Sequence, residues 1–336
     1  MTCPAVSVLL PFRDASAHLE EALASLASQT LGDFEVVMVD DGSRDASAEV
    51  AAGWTEQDGR FRLIQCRGDG LVDALNTGLA ACRADWVARM DADDVCLPRR
   101  LEAQLAAARR SGPMTVVSCL VDLFPAELVS RGMELYSDWL NSLVSPEAIR
   151  NSLFVESPIP HPSAVYRRSL VCAAGGYRDL GVPEDYELWL RLWKLGAGFR
   201  KVDRVLLRWR EGPNRLSRTS SNYALQRFYR LKAMHLGLAP AMSGGRAVLW
   251  GSGQSGRRLS RWLLREGMEI EAFVDVAPAR IGHTMRGRPI VQPRELRRMD
   301  DLPVLVCTRS PKARKEISRW LEARGRREWT GYICCG

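Results

Sequence analysis

The sequence predicts an α/β protein in which a large unit on a mostly parallel sheet is followed by a small α/β unit. Three observations predict it. Short apolar runs alternate with amphipathic helical patterns over the first two-thirds of the chain. Several of those runs end in acidic turns, as strand termini that face a ligand do. A glycine-rich turn, Gly251-Ser252-Gly253-Gln254-Ser255-Gly256, directly follows a later apolar run and opens the last third. With 336 residues there is room for two domains, and the expected boundaries are 1–215, a helical connector 216–244, and 245–336.

The run Val6-Ser7-Val8-Leu9-Leu10 reads as a buried strand stopped by Pro11. The helix after it buries Leu19, Leu23 and Leu26, spaced three and four apart. A second strand, 34–39, ends at Asp40-Asp41-Gly42-Ser43, where Ser43 or Asp45 is placed to cap a helix carrying Val50. A third strand spans 61–65, and a helix over 71–82 leads to strand 86–90. Helix 98–110 and an apolar strand 114–120 follow. Beyond them 129–150 reads as helical, and 157–162 is an extended loop stiffened by three prolines. Gly175-Gly176 ends a short helix, a further helix begins near Glu184 with Leu188, Leu192 and Leu195 on one face, and 202–209 is a last strand. The connecting helix is expected over 223–236, with the boundary near Ser243-Gly244-Gly245 and a new strand at 247–250.

Composition excludes several classes. At 46% hydrophobic and 26% charged, the chain is of ordinary globular make-up. No apolar stretch approaches the roughly 20 residues of a membrane span, and the chain enters a strand at once, so neither a span nor a signal sequence is expected. The nine cysteines are scattered without a Cys-x-x-Cys pair or a Cys/His cluster, which argues against zinc and for a reducing cytosol. Cys334-Cys335 reads as an unstructured tail. The net charge of +7 is uneven: residues 200–230 hold nine basic side chains against Asp203 and Glu211. That stretch has two readings, a solvated surface or a face for phosphates or an anionic membrane. No nucleic-acid-binding motif accompanies it, and no nucleic-acid partner is expected.

The most informative residues are Met90-Asp91-Ala92-Asp93-Asp94, which close the run Trp86-Val87-Ala88. Three carboxylates in four positions repel one another, and a hard divalent cation relieves them while leaving room for phosphate oxygens. The competing reading is a solvated acidic turn before a helix. Pro11-Phe12-Arg13-Asp14 and Asp40-Asp41-Gly42-Ser43 stand at two other strand ends, so three such motifs at one edge describe a pocket. A carboxylate at the second strand end can accept from a base or ribose, although Asp40-Asp41-Gly42-Ser43 also makes an ordinary capped turn. Pro183-Glu184-Asp185-Tyr186-Glu187 opens a helix, where acids complement the dipole or, beside a metal-diphosphate site, supply a general base.

As a set, Val6–Pro11, Ser28-Gln29-Thr30, Val39–Ser43, Ala74-Leu75-Asn76-Thr77-Gly78-Leu79, Ala88–Asp94, Gly175-Gly176-Tyr177 and Glu184–Arg191 resemble a family-2 glycosyltransferase of the GT-A fold over residues 6–210. The resemblance implies a nucleotide-sugar donor, most often a UDP-sugar, transfer with inversion to a hydroxyl of a glycan or lipid-linked acceptor, and a Mn²⁺ or Mg²⁺ ion. Carried over by motif, Pro11, Phe12, Asp40 and Asp41 line the nucleoside site, with Arg89 and Asp91 toward the diphosphate. Asp91 and Asp93 form the Asp-x-Asp element with Asp93 as direct ligand, and Asp185 is the base. Glu184, His161 and Arg210 are the candidates for acceptor or diphosphate contacts. Two departures stand out: Arg208-Trp209-Arg210-Glu211-Gly212 lacks the His that many relatives place after the last strand, and Arg208-Trp209 lacks the Gln-x-x that precedes it in processive synthases. A single-addition enzyme in cell-surface polysaccharide synthesis is the expectation, cytoplasmic and peripheral to the inner membrane face.

In the last third, Gly251, Gly253 and Gly256 precede a helix, and Asp275 follows about 20 positions on, as a dinucleotide fingerprint requires. Only about 90 residues remain, enough for half a dinucleotide fold. The stretch resembles the small Rossmann-like modules joined to some sugar-modifying enzymes. A structural or docking role is the main expectation, with a site for NAD or another nucleotide at Gly251, Gly253, Gly256 and Asp275 as the other. A sugar-nucleotide-modifying oxidoreductase is the alternative function, and the missing second half-fold and Tyr-x-x-x-Lys pair argue against it. A non-catalytic nucleotide-sugar binder is a third reading, opposed by the intact Asp41, Asp91, Asp93 and Asp185.

Overall fold

A computed structural model describes residues 3–213 and 215–336. The chain divides into one unit of Met1–Arg150, Pro158–Leu180 and Glu184–Thr219, and a second of Asn151–Ser157, Gly181–Pro183 and Ser220–Gly336. In chain order the elements up to Thr219 are β1 (Val6–Phe12), α1 (Leu19–Ala27), β2 (Phe34–Asp40), α2 (Ser47–Gln57), β3 (Phe61–Gln65), α3 (Leu71–Ala81), β4 (Trp86–Arg89), β5 (Val95–Cys96), α4 (Arg100–Ser111), β6 (Thr115–Phe124), α5 (Arg131–Ser142), α6 (Pro146–Ser152), β7 (Val165–Arg167), α7 (Arg168–Ala173), α8 (Glu184–Lys194), β8 (Gly198–Arg210) and α9 (Leu216–Thr219).

The sheet of this unit has the order β3-β2-β1-β4-β7-β6-β8-β5. The first four strands are parallel; β7 runs antiparallel to both β4 and β6, and β8 is parallel to β6. Side chains alternate across the pleat. Val8, Leu10, Val36, Met38 and Ala88 therefore share a core with Leu19, Leu23 and Leu26 of α1 and with Leu101 and Leu105 of α4. Register sets the working edge: Phe12 lies opposite Asp40, and Leu9 opposite Arg89, so β1, β2 and β4 all release their next residues at one side.

Three local expectations are corrected. The helical region 129–150 is two helices broken at 143–145, because Pro146 starts a new helix and lacks the N–H that continuation needs. The residue before α2 is Ala46, which gives no side-chain cap; Ser43 Oγ instead accepts from Asp14 N, while Asp45 Oδ1 takes the N–H of Ser47. Cys334-Cys335 is no loose tail, since Tyr332–Cys334 is a buried strand and Cys335 N donates to Val306 O.

The second unit contains α10 (Leu225–Leu236), β9 (Arg246–Trp250), α11 (Gln254–Arg265), β10 (Glu269–Val274), β11 (Thr284–Met285), β12 (Arg288–Val291), β13 (Val304–Val306), α12 (Pro311–Glu322) and β14 (Tyr332–Cys334). Its sheet order is β11-β12-β10-β9-β13-β14, parallel except for the β11–β12 pair. The glycine turn sits between β9 and α11 for a steric reason: a Cβ on Gly256 would lie 1.9 Å from Gly251 O. Substituting Gly256→Val should destabilise this unit by about 3 kcal/mol or more, and limited proteolysis should then cut within 246–334 where it spares the unaltered protein. No helix among the described residues is long and apolar enough to cross a membrane.

Candidate active site

The acidic turn begins where β4 ends. Met90 N donates to Leu9 O at 3.1 Å, which carries the parallel ladder one residue further before the chain turns. Asp91, Asp93 and Asp94 then each bring a carboxylate oxygen within 4.8 Å of the other two. Asp94 is 1% exposed and its Oδ2 has no partner among the described residues; its Oδ1 accepts from Arg210 N at 2.8 Å. Burial and the repulsion of its neighbours raise the Asp94 carboxyl well above the usual range, and burial together with Asp91 pushes Asp93 up to about 6. An oxygen-only cluster, crowded with like charge and holding an orphaned buried acceptor, fits a hard divalent cation. Arg89, 2% exposed, is ion-paired with Asp91, and its Nε has no partner among the described residues.

Arg100, fully buried at the start of α4, holds this turn from behind. It donates to the carbonyls of Arg89 and Pro162, each at 2.6 Å, and to Gln104 Oε1 at 2.9 Å. Gln104 in turn reaches the carbonyls of Val117 and Ser163 at 3.2 and 2.8 Å. The metal-type turn and the 161–163 turn are thus fixed to one another through α4.

At the end of β2, Asp41 N donates to Phe12 O at 2.9 Å, and the side chain, 4% exposed, accepts from Gly70 N at 3.2 Å. Arg13 Nη1 stands 3.7 Å from the other Asp41 oxygen. Asp40 Oδ1 accepts from Ser43 N at 2.9 Å, the bond an acidic turn makes. Phe12 points into the core with Ala22 and Met38, and Pro11 is buried beside it in β1.

Asp185 is partly buried in the first turn of α8, accepting from Tyr186 N at 2.7 Å. Burial and the adjacent Glu184 push its carboxyl up to about 8. Glu184 is buried with its Oε1 3.7 Å from His161 Nδ1. Burial and the nearby Arg89 charge drive His161 well below its ordinary value, so the imidazole is neutral and the contact is polar rather than an ion pair. His161 Nε2 meets Tyr177 OH at 3.0 Å, and Tyr177 OH meets Tyr166 OH at 2.8 Å. Tyr177 is also gripped from α3: Asn76 Nδ2 donates to its carbonyl at 3.0 Å and Asn76 Oδ1 accepts from its N–H at 2.9 Å. The neighbouring Gly176 has φ +68°, and a Cβ there would lie 2.6 Å from Asn76 Oδ1. A continuous brace therefore runs from α3, whose entry is bonded to Asp41, to the α8 turn that carries Asp185.

The structure brings Asp91, Asp93, Arg89 and Arg210 together. Arg210 is spent on the turn itself, through Asp93 O at 2.6 Å and an ion pair with Glu21. Arg215 acts electrostatically on Asp93 while paired with Glu211 and stacked 4.4 Å from the Trp209 ring. Sequence reading counted Asp94 as the third carboxylate of the turn and quoted Asn76 and Tyr177 within motifs, but gave no site role to Asn76, Arg100, Tyr166 or Tyr177. In the second unit, Asp275 accepts from Ser252 N at 3.0 Å, from Ser252 Oγ at 2.5 Å and from Ala277 N at 3.0 Å, and pairs with Arg280 at 3.1 Å. Burial opposes its charge, yet these hydrogen bonds hold it at about 2.

The fold is shared with a solved structure of S. aureus TarS, residues 1–349, in complex with UDP-GlcNAc: TM-score 0.54 and 17% identity over 78% of this chain and 72% of that one. The amylovoran biosynthesis glycosyltransferase AmsE of Erwinia amylovora is 35% identical over 220 residues, 64% of this chain and 80% of the relative. An Escherichia coli UDP-Gal:α-D-GlcNAc-diphosphoundecaprenol β-1,3-galactosyltransferase is 28% identical over 207 residues, 61% of this chain and 73% of its own. Fold and relatives together define a glycosyltransferase with the GT-A fold. Residues 7–172 match Glycosyl transferase family 2, and the chain belongs to that family.

Proposed function

We propose that the protein is a metal-dependent, inverting glycosyltransferase that moves a sugar from a UDP-sugar to a hydroxyl of a glycan or lipid-linked acceptor in cell-surface polysaccharide synthesis. The observation that carries the reading is the Asp91/Asp93/Asp94 cluster with its orphaned buried oxygen at the end of β4. A relative that uses a UDP-sugar on a lipid diphosphate, and a structural neighbour that binds UDP-GlcNAc, support the choice of donor and acceptor class.

Asp41 accepts from the nucleoside, and Arg89 offers its unpartnered Nε toward the diphosphate. Asp91 and Asp93 would hold Mn²⁺ or Mg²⁺, with Asp93 the direct ligand and Asp94 behind it, and the ion would neutralise charge on the departing diphosphate. Asp185 takes the proton of the acceptor hydroxyl as that oxygen bonds to the anomeric carbon. The bond to the diphosphate breaks on the opposite face, its electron pair leaves with the diphosphate, and the configuration inverts. Asp275 is engaged by Ser252, Ala277 and Arg280, which supports a structural role for the Gly251–Asp275 turn over a nucleotide site. The basic stretch 200–230 and the diphospholipid-using relative support a place on the cytoplasmic membrane surface, held peripherally.

Calorimetric titration of UDP, GDP and NAD, each with and without Mn²⁺, tests the site. UDP should bind only with Mn²⁺, and Asp93→Ala should weaken it by about tenfold or more. Tighter binding of GDP than of UDP would overturn the donor assignment. Metal-independent NAD binding with no UDP binding would move the active centre to Gly251–Gly256.

A further inference from the structure

A groove of about 700 Å³ lies along α4 and the first half of β8 in the first unit, bordered by residues 144–146. It is lined by five cations, Arg99, Arg110, Arg200, Lys201 and Arg204, against two carboxylates. Arg99 is paired with Glu102 at 3.3 Å and Arg204 acts electrostatically on the same carboxylate, but the side chains of Arg110, Arg200 and Arg204 make no hydrogen bond or close ion pair among the described residues. Lys201 is 4% exposed, and its Nζ donates to Leu140 O at 2.5 Å with no second partner among the described residues. Burial pushes that ammonium down to about 8, as expected of a cation short of counter-charge.

The donor site does not account for this charge. The acidic turn meets the far end of β8, at Arg210, and nine residue steps of extended strand lead to it from Lys201, about 30 Å. Five cations against two carboxylates around one concavity recruit an anion. Apolar side chains stand near the same end of β8: Met114 is 45% exposed with its carbonyl bonded to Gly198 N, and Leu195 is 50% exposed. A basic concavity beside exposed apolar groups suits an interface between water and anionic lipid.

We propose that the α4–β8 groove binds phosphate headgroups of an anionic lipid surface and is the contact through which the protein sits on the membrane. The inference rests on the peripheral placement proposed above and names the residues that carry it. Sedimentation of the full chain with vesicles tests it, using phosphatidylcholine alone and phosphatidylcholine mixed with phosphatidylglycerol. The protein should pellet with the anionic vesicles only and be released by high salt. The triple variant Arg110→Glu, Arg200→Glu, Arg204→Glu should bind about tenfold or more weakly. A control of equal charge change in the second unit, Arg294→Glu, Arg297→Glu, Arg298→Glu, should stay within about twofold of the unaltered protein. Unchanged thermal unfolding and UDP titration of the groove variant would show that its fold is intact.

If the unaltered protein ignores anionic vesicles, the peripheral reading itself is overturned. If it binds them and both triple variants bind alike, the groove assignment fails while the peripheral reading stands. If inorganic pyrophosphate binds the unaltered protein and not the groove variant, yet vesicles are not bound, the groove takes a soluble anion and the lipid assignment falls.

Discussion

Asp185→Asn is expected to lower turnover by about 10²–10⁴-fold while leaving UDP affinity with Mn²⁺ unchanged. The amide keeps the shape of the first turn of α8 and cannot take the acceptor proton. Parallel measurement of transfer and of UDP binding decides it, because equal loss of both would reassign Asp185 to donor binding. The pH profile provides a second arm. Burial and Glu184 push Asp185 up to about 8 in the cation-free protein, so the base is protonated and idle at lower pH, and kcat/KM should rise as pH increases. Glu184→Gln removes the neighbouring like charge and should move that acid limb to lower pH by about one unit. A limb unmoved by Glu184→Gln would show that another group titrates.

Arg100→Met is expected to destabilise the first unit by about 3–5 kcal/mol and to remove activity with it. Buried ionic groups exchanged for apolar ones are sometimes neutral, because both partners are removed together. At Arg100 the acceptors are backbone carbonyls of Arg89 and Pro162, which remain buried and lose their donor. Two unsatisfied carbonyls at the back of the acidic turn cost more than the desolvation of one guanidinium returns. Urea unfolding should show the midpoint drop, and a midpoint within experimental scatter of the unaltered protein would refute the argument.

The parallel half of the first sheet was legible because its strands are short continuous apolar runs bounded by turn signals. The acidic turns at their ends were legible because three adjacent carboxylates are costly without a purpose. The short strands β5, β7 and β14 carried too few residues for periodicity to register, and Cys334 in β14 was misread for that reason. Within the site, Asp41, Asp91, Asp93 and Asp185 stood out by motif. Asn76 and Tyr177 showed only as members of quoted motifs, without a role, and Arg100 and Tyr166 did not show, because a side chain that works by bonding to backbone carbonyls or another hydroxyl leaves no spacing pattern in its own segment.

The sequence by itself determined the α/β class, the glycosyltransferase family and the order of its acidic motifs, since all three are written in local runs of a few residues. Tertiary structure decided how those motifs act on each other. It neutralised His161 by burying it beside Arg89, committed Arg210 to the Asp93 carbonyl, and bonded Asp40 to the Ser43 amide of its own turn. It also left Asp94 with an oxygen unmet among the described residues. These outcomes depend on burial and on partners dozens of residues away, and the free energies of charge and hydrogen bonding are set by that environment rather than by residue type.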